Sequence, residues 1–167
     1  MSKLTLPLSL VVLGMVIGLS LQLWYWPQLP ERMAIHFDAN GTPNDWMGKV
    51  PATLLSISLV TLLPMFFLSI SQVIRWMPTS MINLPHREYW LAPERREESF
   101  RWMTGWMIWF TLFVLIFIIA INHLTFIANR DSQPLSAVGF WGMLGTFLFS
   151  TFAFVVIMIR RFAKPTL

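Results

Sequence analysis

The sequence predicts an all-α integral membrane protein with four transmembrane helices, both termini in the cytoplasm, and a compact, turn-rich extracytoplasmic loop between helices 1 and 2. Three observations predict this fold. Of the 167 residues, 56% are hydrophobic and only 12% are charged, which is about half the charged share of a soluble domain. Four runs without Asp, Glu, Lys or Arg reach the length of about 20 residues that a helix needs to cross a bilayer. Basic residues are concentrated on alternate connections.

The four apolar runs define a single membrane domain over residues 1–167. They leave an outer loop at 27–50, which we call the cap, and a cytoplasmic loop at 75–101. The first run is predicted to be an uncleaved helix, because it is too long for the apolar region of a signal peptide and no A-x-A-like cleavage site follows it. The spans are predicted at 4–26, 51–74, 102–121 and 137–159.

The distribution of Lys and Arg predicts the orientation. The N-terminus, the second connection and the C-terminal tail together carry nine of these residues, including Lys3 and Lys164, whereas the first and third connections carry three. Short connections rich in Lys and Arg stay in the cytoplasm. The cap and the 122–136 connection are therefore predicted to face outward. The net charge of +4 is interpreted as a topology signal, and no nucleic-acid partner is predicted.

Small residues indicate where helices approach one another. Gly14 and Gly18 form a G-x-x-x-G pattern, and Gly142, Thr146 and Ser150 repeat the spacing in the fourth span. Such residues let helix backbones pack closely in a membrane. Two alternatives remain open, packing inside the chain and self-association as a homodimer.

Three tryptophans form a stripe at the start of the third span. Trp102, Trp106 and Trp109 follow an i, i+4, i+7 spacing and so share one helix face. The stripe predicts either packing against another helix or a face exposed to lipid or a partner. In the second span, Pro64 removes one backbone hydrogen bond and is predicted to kink the helix.

Some classes of function are disfavoured by what the chain lacks. No Asp, Glu, Lys or Arg lies in the predicted spans, and His123 lies at the outer end of the third. A pump or a proton-coupled transporter needs ionisable groups inside the membrane. The absence of Cys excludes disulfides, thiolate metal sites and Cys nucleophiles.

The cap contains the stretch IHFDANGTPNDWMGK at 35–49. Pro27 and Pro30 are predicted to end the first helix. MAIHF predicts a short extended segment, DANG a turn in which Gly41 takes a positive φ, and TPND a second turn. Ordered surface loops of this kind often carry function. The candidate binding residues are His36, Asp38, Gly41, Asp45, Trp46 and Lys49.

A metal site in the cap is one alternative, because His36, Asp38 and Asp45 carry ligand chemistry. Their spacing matches no metal motif, however, and DANGTPND lacks the Glu that closes a calcium loop. Hydrogen bonding within the loop is predicted instead, with no metal and no cofactor. A set of His36, His123 and Asp131 across the outer face would suit a metal-dependent enzyme. No established catalytic motif is present, and the protein is predicted not to be an enzyme.

The cytoplasmic loop contains NLPHREYWLAPERREESFRW at 83–102. Pro93 suits the first turn of a helix that continues into the third span, and Glu97 and Arg101 form an i, i+4 pair. The YWL stretch is predicted to lie in the headgroup layer. The loop is either a solvated helix start or a docking platform for a cytoplasmic partner or anionic lipid. The candidate docking residues are Tyr89, Trp90, Glu94, Arg95 and Arg96.

Together the two loops resemble a bacterial family. LPERMAIHFDANGTPNDWMGK resembles the small domain of unknown function at the N-terminus of SdpI-type immunity proteins, whose namesake protects cells from a secreted sporulation-delaying toxin. The later NLPHREYWLAPERREE is similar to a segment found in short stand-alone members. The resemblance covers about residues 10–100, and the longer membrane portion of the immunity proteins is absent. The residues that carry it are Pro30, Ile35, His36, Phe37, Gly41, Asp45, Trp46 and Lys49.

The resemblance implies a multi-pass protein of the bacterial inner membrane that binds or senses and has no cofactor. The leading hypothesis is therefore a non-enzymatic protein whose cap meets an extracellular peptide or an envelope partner. The alternative is a small accessory subunit of a larger membrane complex. The predicted partners are the lipid bilayer, an extracellular peptide or a membrane protein, and a second copy of the chain.

Overall fold

The computed structural model describes residues 4–163. Lys3 and Lys164, two of the basic residues that predict the orientation, lie outside this range. The described chain is helical apart from one β-hairpin. Its elements in order are α1 (Thr5–Tyr25), a 3₁₀ turn (Trp26–Gln28), β1 (Arg32–Phe37), β2 (Pro43–Gly48), α2 (Lys49–Trp76), a second 3₁₀ turn (Thr79–Met81), the one-turn α3 (Arg87–Trp90), α4 (Arg96–Arg130) and α5 (Ala137–Phe162).

Four helices, α1, α2, α4 and α5, are each long and apolar enough to cross a bilayer. With the hairpin between α1 and α2, they confirm the predicted fold class of a multi-pass membrane protein. The hairpin contacts the end of α4 and the connection to α5. The connection between α2 and α4 contacts the end of α5. The hairpin and the α4–α5 connection therefore lie at one end of the helix bundle, which we call the cap end. The α2–α4 connection lies at the opposite end, which we call the arginine-rich end.

The orientation stays a prediction, and thiol labelling tests it. Asn44 and His86 are both exposed, at the cap end and the arginine-rich end respectively. In intact cells, Asn44→Cys is expected to react with a membrane-impermeant thiol reagent, and His86→Cys only after the cells are opened. The chain contains no Cys of its own, so no background labelling competes. The reverse pattern would invert the topology.

The third span is longer than predicted. α4 continues to Arg130, beyond the predicted end at 121, so Asn122 and His123 lie inside the helix. These polar residues do not end the helix because its last turns are packed against the cap and α1. The His123 Nδ1 atom, for example, lies 3.1 Å from the Tyr25 hydroxyl oxygen. The α4–α5 connection is correspondingly short, spanning only 131–136.

The start of α4 also differs from the prediction. The helix was expected near Pro93 and begins at Arg96. A single turn precedes it, in which the Ala92 carbonyl accepts hydrogen bonds from the amides of Arg95 and Arg96. The helix then continues into the third span, as predicted. The proline therefore lies in the turn that leads into α4 and not in its first helical turn.

Helices α1, α2 and α4 form the core of the bundle. Val11, Val60, Ile108 and Leu115 are buried together at its centre. Gln22 Nε2 donates a hydrogen bond to Ser56 Oγ across the α1–α2 contact. α2 continues through the buried Pro64 without interruption. α5 packs mainly against α4 and leaves most of its surface exposed.

The G-x-x-x-G pattern of α1 packs inside the chain, which is one of the two predicted alternatives. A Cβ atom on Gly14 would lie 2.9 Å from the Leu115 side chain of α4, and one on Gly18 would lie 2.7 Å from the Val60 side chain of α2. The second small-residue stripe behaves differently, because no atom lies within 4 Å of a Cβ placed on Gly142.

Gly18→Ala is expected to destabilise the bundle by about 1–2 kcal/mol, because the added methyl overpacks a tight helix contact. Gly142→Ala is the matched control, since its methyl meets open space and Ala favours a helix over Gly. The midpoint of thermal unfolding in detergent micelles measures both. A Gly18→Ala midpoint equal to that of the wild type would contradict the close α1–α2 approach.

The tryptophan stripe is divided between the two predicted roles. The rings of Trp102 and Trp106 are stacked with centroids 5.1 Å apart. They also contact Phe162 and Phe154 of α5 at 5.4 and 4.6 Å. Trp109, by contrast, is exposed. The first two rings therefore fill the contact between α4 and α5.

The hairpin confirms the predicted extended segment and the first turn, but not the second turn. Gly41 has φ +86°, and its amide donates to the Asp38 carbonyl at 2.9 Å. The Thr42 amide donates to the Asp38 side chain. The chain thus reverses within a few residues, and Pro43–Gly48 pairs as β2, antiparallel to β1 with an irregular register near His36.

Candidate functional site

One side chain fixes the hairpin to the helix bundle. Asn129, near the end of α4, accepts a hydrogen bond from the Ala34 amide at 2.7 Å and donates one to the Ala34 carbonyl at 2.9 Å. Both residues are buried. The Asn129 side chain thereby pairs both the N–H and the C=O of Ala34, which lie on the side of β1 that faces away from β2. Beneath the hairpin, Met33 joins a second core with Tyr25 and Phe126.

The tip of the hairpin is held by the α4–α5 connection. The Leu135 amide donates to the Gly41 carbonyl at 2.8 Å, and Trp141 Nε1 donates to the Ala39 carbonyl at 3.0 Å. The approach at Gly41 is so close that a Cβ atom there would lie 2.0 Å from the Leu135 carbonyl oxygen. The cap is therefore anchored at its middle and at its tip, and it forms an ordered surface.

A cleft of about 300 Å³ lies between the hairpin and the α4–α5 connection. We call it the cap cleft. Its wall combines aromatic, aliphatic and polar side chains, which suits a ligand with both apolar and hydrogen-bonding groups. The lining residues are Pro30, Arg32, Ala34, Phe37, Pro43, Trp46, Ala128, Asn129, Ser132, Gln133 and Pro134.

Arg32 and Trp46 are the chemically distinctive residues of the cleft. The guanidinium carbon of Arg32 lies 5.5 Å from the centroid of the Trp46 ring, a cation–π distance. Both side chains are exposed. Next to the cleft, Arg130 donates two hydrogen bonds to the Asp131 carboxylate, which lowers the pKa of Asp131 below its ordinary value. Arg32 is therefore the cation that the cleft presents.

Of the six predicted cap residues, only Trp46 lines the cap cleft. His36 Nδ1 lies 2.5 Å from Asn44 Oδ1 across the hairpin. The Asp38 carboxylate accepts from the amides of Asn40 and Thr42 in the turn. Asp38 makes the predicted hydrogen bonds to the loop backbone, whereas His36 contacts a side chain instead.

The remaining cap residues also have local contacts. The Asp45 carboxylate accepts from the Trp46 amide at 2.8 Å. The Lys49 ammonium lies 4.8 Å from the Trp26 ring centroid and 3.8 Å from the Glu31 carboxylate. Lys49 thereby positions the start of α2 against the 3₁₀ turn that follows α1.

The set of His36, His123 and Asp131 does not converge through any described contact. Each has a different neighbour: Asn44, Tyr25 and Arg130 respectively. Within residues 4–163, no group of three or more His, Asp or Glu residues is placed to hold a metal ion.

At the arginine-rich end, the structure places two predicted docking residues in structural roles. Trp90 is buried, and its Nε1 donates to the Phe162 carbonyl at 3.0 Å. Arg96 donates to Thr79 Oγ1 at 2.8 Å and to carbonyls at the end of α2. Trp90 and Leu91 both pack inside the protein, and the placement of YWL at the depth of the headgroup layer stays a prediction.

The other docking residues lie closer to the surface. Glu94 is exposed, and the Arg95 guanidinium lies 4.0 Å from the Tyr89 ring centroid. The predicted pairing of Glu97 is wrong, because its carboxylate lies 2.7 Å from the Arg75 guanidinium. Packing of α2 against α4 brings Arg75 closer to the Glu97 carboxylate than the predicted partner Arg101, which lies one turn further along α4.

One family model matches the chain, over residues 13–62: a domain of unknown function, DUF1648. Residues 13–62 form a DUF1648 domain. The DUF1648 domain spans most of α1, the hairpin and the first half of α2. It therefore includes Arg32 and Trp46, whereas Asn129 and the α4–α5 connection lie outside it. No curated protein and no solved structure matches the chain.

Sequence reasoning missed the part of the cap cleft that lies outside the DUF1648 domain. Asn129, Ser132 and Gln133 are about a hundred residues from the hairpin, and no spacing rule connects them to it. One local signal is available, since Asn129 lies near the end of an apolar helix and directly precedes Arg130 and Asp131. Arg32 was counted only as a topology charge.

Proposed function

We propose that the protein is a non-enzymatic binding or sensing protein of the bacterial cell membrane, of the SdpI-immunity-like type. Its cap cleft receives an extracellular peptide or an envelope partner. The observation that carries this proposal is the pairing of Arg32 and Trp46 in an open cleft on an anchored hairpin. Arg and Trp are the residue types that most often dominate binding energies at protein interfaces.

The chemistry of the cleft supports a peptide ligand. A guanidinium forms strong, charge-assisted hydrogen bonds to carboxylates, and an exposed indole offers a flat apolar surface. The amide side chain of Gln133 and the hydroxyl of Ser132 add hydrogen-bonding groups on the opposite wall. The cleft lining includes no His, Asp or Glu, the residues that most often act as general bases. This composition supports binding rather than catalysis.

Challenge with a peptide toxin tests the proposal. Cells that express the wild-type chain are exposed to the secreted sporulation-delaying toxin, and the labelled toxin is titrated onto the purified protein in nanodiscs. Survival and binding are the expected results. Trp46→Ala is expected to weaken binding about thirtyfold, the loss of about 2 kcal/mol typical of an interface hot spot. Arg32→Gln is expected to act in the same direction.

Trp24→Ala is the matched control, because its indole is also exposed but does not line the cap cleft. It is expected to bind like the wild type. Equal losses in the Trp24 and Trp46 variants would indicate nonspecific contact with the membrane surface. A wild-type protein that neither binds the toxin nor protects cells would reject the immunity-like function.

An accessory subunit is the second candidate, and the position of α5 favours it. This helix packs mainly against α4, and its most apolar window is not buried in the bundle. Gly142 and Gly145 present open backbone on its surface. Native mass spectrometry on protein gently extracted from its own membrane distinguishes the candidates. A defined hetero-complex would favour the subunit, and a lone monomer or homodimer would favour the binding protein.

A further inference from the structure

An apolar groove of about 230 Å³ opens between α2, α4 and α5 in the half of the bundle near the arginine-rich end. Its wall is almost entirely hydrocarbon and aromatic. Ser71 contributes the one hydroxyl among the lining residues, and this hydroxyl donates a hydrogen bond to the Leu68 carbonyl. The groove's lining includes Ile74, Phe100, Met103, Phe110, Val155 and Met158.

The length of the groove matches one leaflet of a bilayer. Along α4 its lining extends from Phe100 to Phe110, which is about 15 Å at the rise of an α-helix. Half the thickness of the hydrocarbon core of a bilayer is also about 15 Å. A single extended acyl chain lying along the groove would therefore reach from the membrane surface to the middle of the bilayer.

The surface end of the groove is surrounded by arginines from all three helices. Arg75 lies one turn beyond Ser71 on α2, Arg96 lies one turn before Phe100 on α4, and Arg161 lies one turn beyond Met158 on α5. The guanidinium carbons of Arg75 and Arg96 lie 6.0 and 4.8 Å from the centroid of the Phe100 ring, which lines the groove.

Two of these arginines can hold an anion. Arg96 is occupied by Thr79 and by backbone carbonyls. Arg75 pairs with the exposed carboxylate of Glu97 at 2.7 Å. The Arg161 guanidinium lies over the Trp90 ring, 4.4 Å from its centroid, and 3.8 Å from the exposed carboxylate of Glu98, so among the described residues its hydrogen-bonding groups are held only by this second ion pair. Exposed ion pairs of this kind are weak. The described part of the arginine-rich end contains seven arginines and four glutamates, so it carries an excess of positive charge.

We propose that this groove is a binding site for an anionic phospholipid. One acyl chain occupies the groove, and the phosphate and anionic headgroup lie between Arg75 and Arg161. Basic pockets at the ends of transmembrane helices recognise lipid headgroups by charge. The arginine-rich end thus has a lipid ligand, whatever the cap binds, and the site does not depend on the proposed function of the cap.

Lipid titration of the full chain in detergent, followed by native mass spectrometry, tests the site. The probes are phosphatidylglycerol and phosphatidylcholine with identical acyl chains. The wild type is expected to bind phosphatidylglycerol at least tenfold more tightly. Arg75→Gln and Arg161→Gln are each expected to reduce that preference about fivefold, the effect of one basic residue near an anionic membrane surface. Arg87→Gln is the control, because the Arg87 guanidinium contacts Glu88 and the Ser80 carbonyl within the α2–α4 connection, and it is expected to leave the preference unchanged.

A second pair of variants tests the acyl chain without touching a charge. Val155→Phe fills the groove from its exposed edge and is expected to weaken both lipids at least fivefold. Ile157→Phe, on the same helix but outside the groove lining, is the matched control and is expected to bind as the wild type does. Both sites are exposed, so this pair keeps the test valid even where an arginine variant does not fold.

Three results would overturn the proposal. Equal wild-type affinity for the two lipids would leave a groove without headgroup recognition. Equal losses from Arg87→Gln and Arg75→Gln would indicate diffuse attraction to the whole arginine-rich end. A second protein chain in the spectra that is displaced by Val155→Phe, with no bound phosphatidylglycerol, would make the groove a helix-binding interface.

Discussion

Asn129→Ala is expected to destabilise the protein by about 2–4 kcal/mol, because it leaves the buried amide and carbonyl of Ala34 without partners, at a cost of about 1–3 kcal/mol for each group. The Asn129 side chain is their described hydrogen-bond partner on the side of β1 that faces α4. The loss should appear as a lower midpoint of thermal unfolding in nanodiscs. Hydrogen exchange at the Ala34 amide should accelerate because the hairpin separates from α4.

Asn122→Ala is the matched control for this prediction. Asn122 lies two turns earlier on the same helix, and its buried Nδ2 has no hydrogen-bond partner within residues 4–163. Removing this group strands no backbone atom, so the control should change the midpoint much less than Asn129→Ala. If the two variants had the same midpoint, the clamp between Asn129 and the hairpin would not stabilise the cap.

Gly41→Val is expected to cost about 2–4 kcal/mol through two separate effects. A residue with a Cβ loses about 1–2 kcal/mol in the left-handed region, and φ at Gly41 is +86°. The side chain would also collide with the Leu135 carbonyl oxygen, 2.0 Å from the Cβ position, and overpacking costs about 1–3 kcal/mol. The hairpin tip should detach from the α4–α5 connection.

Hydrogen exchange at the Leu135 amide measures the detachment directly, since this amide donates to the Gly41 carbonyl. Gly48→Val is the matched control in the same hairpin. Its φ is negative, and a Cβ there would meet only the Pro51 ring at an ordinary 3.6 Å. It should leave the exchange of Leu135 unchanged. Wild-type exchange at Leu135 in Gly41→Val would contradict the close approach of the tip.

Both predictions concern how the cap is held, and they bear on its function. The DUF1648 domain supplies the hairpin with Arg32 and Trp46, while α4 and the α4–α5 connection supply the opposite wall of the cap cleft. A variant that frees the hairpin should therefore lose peptide binding together with stability. Trp46→Ala should lose binding alone, because its indole is exposed. Comparing the two classes of variant separates a loss of binding caused by an altered cleft shape from a loss caused by a missing contact group.

Opposite ends of the bundle carry the two proposed ligand sites. The cap cleft is a mixed polar surface outside the apolar core, and the groove is a hydrocarbon channel ending in arginines. Neither depends on the other, because the hairpin contacts α4 at the cap end and the groove lies in the half of α4 near the arginine-rich end. A lipid in the groove would fill the gap beside α5, the least buried helix of the bundle.

Local sequence alone predicted the four membrane helices and, between the first two, one extended segment with the turn that follows it, whereas the start of the second strand was predicted as a turn. Apolar runs of bilayer length form helices in a membrane because the hydrocarbon core contains no water to bond exposed backbone groups. A helix pairs these groups within its own segment. The DANG turn and the positive φ of Gly41 were likewise predictable, because they depend on adjacent residues. The close packing of Gly14 and Gly18 was one of two predicted alternatives.

Which residues meet depends on tertiary packing. The extension of α4 to Arg130, the pairing of Glu97 with Arg75, the burial of Trp90 and the position of Asn129 beneath Ala34 all depend on contacts between distant segments. Helix ends and ion pairs differ by only about 1 kcal/mol between alternatives, so packing outweighs local preference. The cap cleft and the lipid groove are products of that packing, since each is formed by helices or strands that are far apart in the chain.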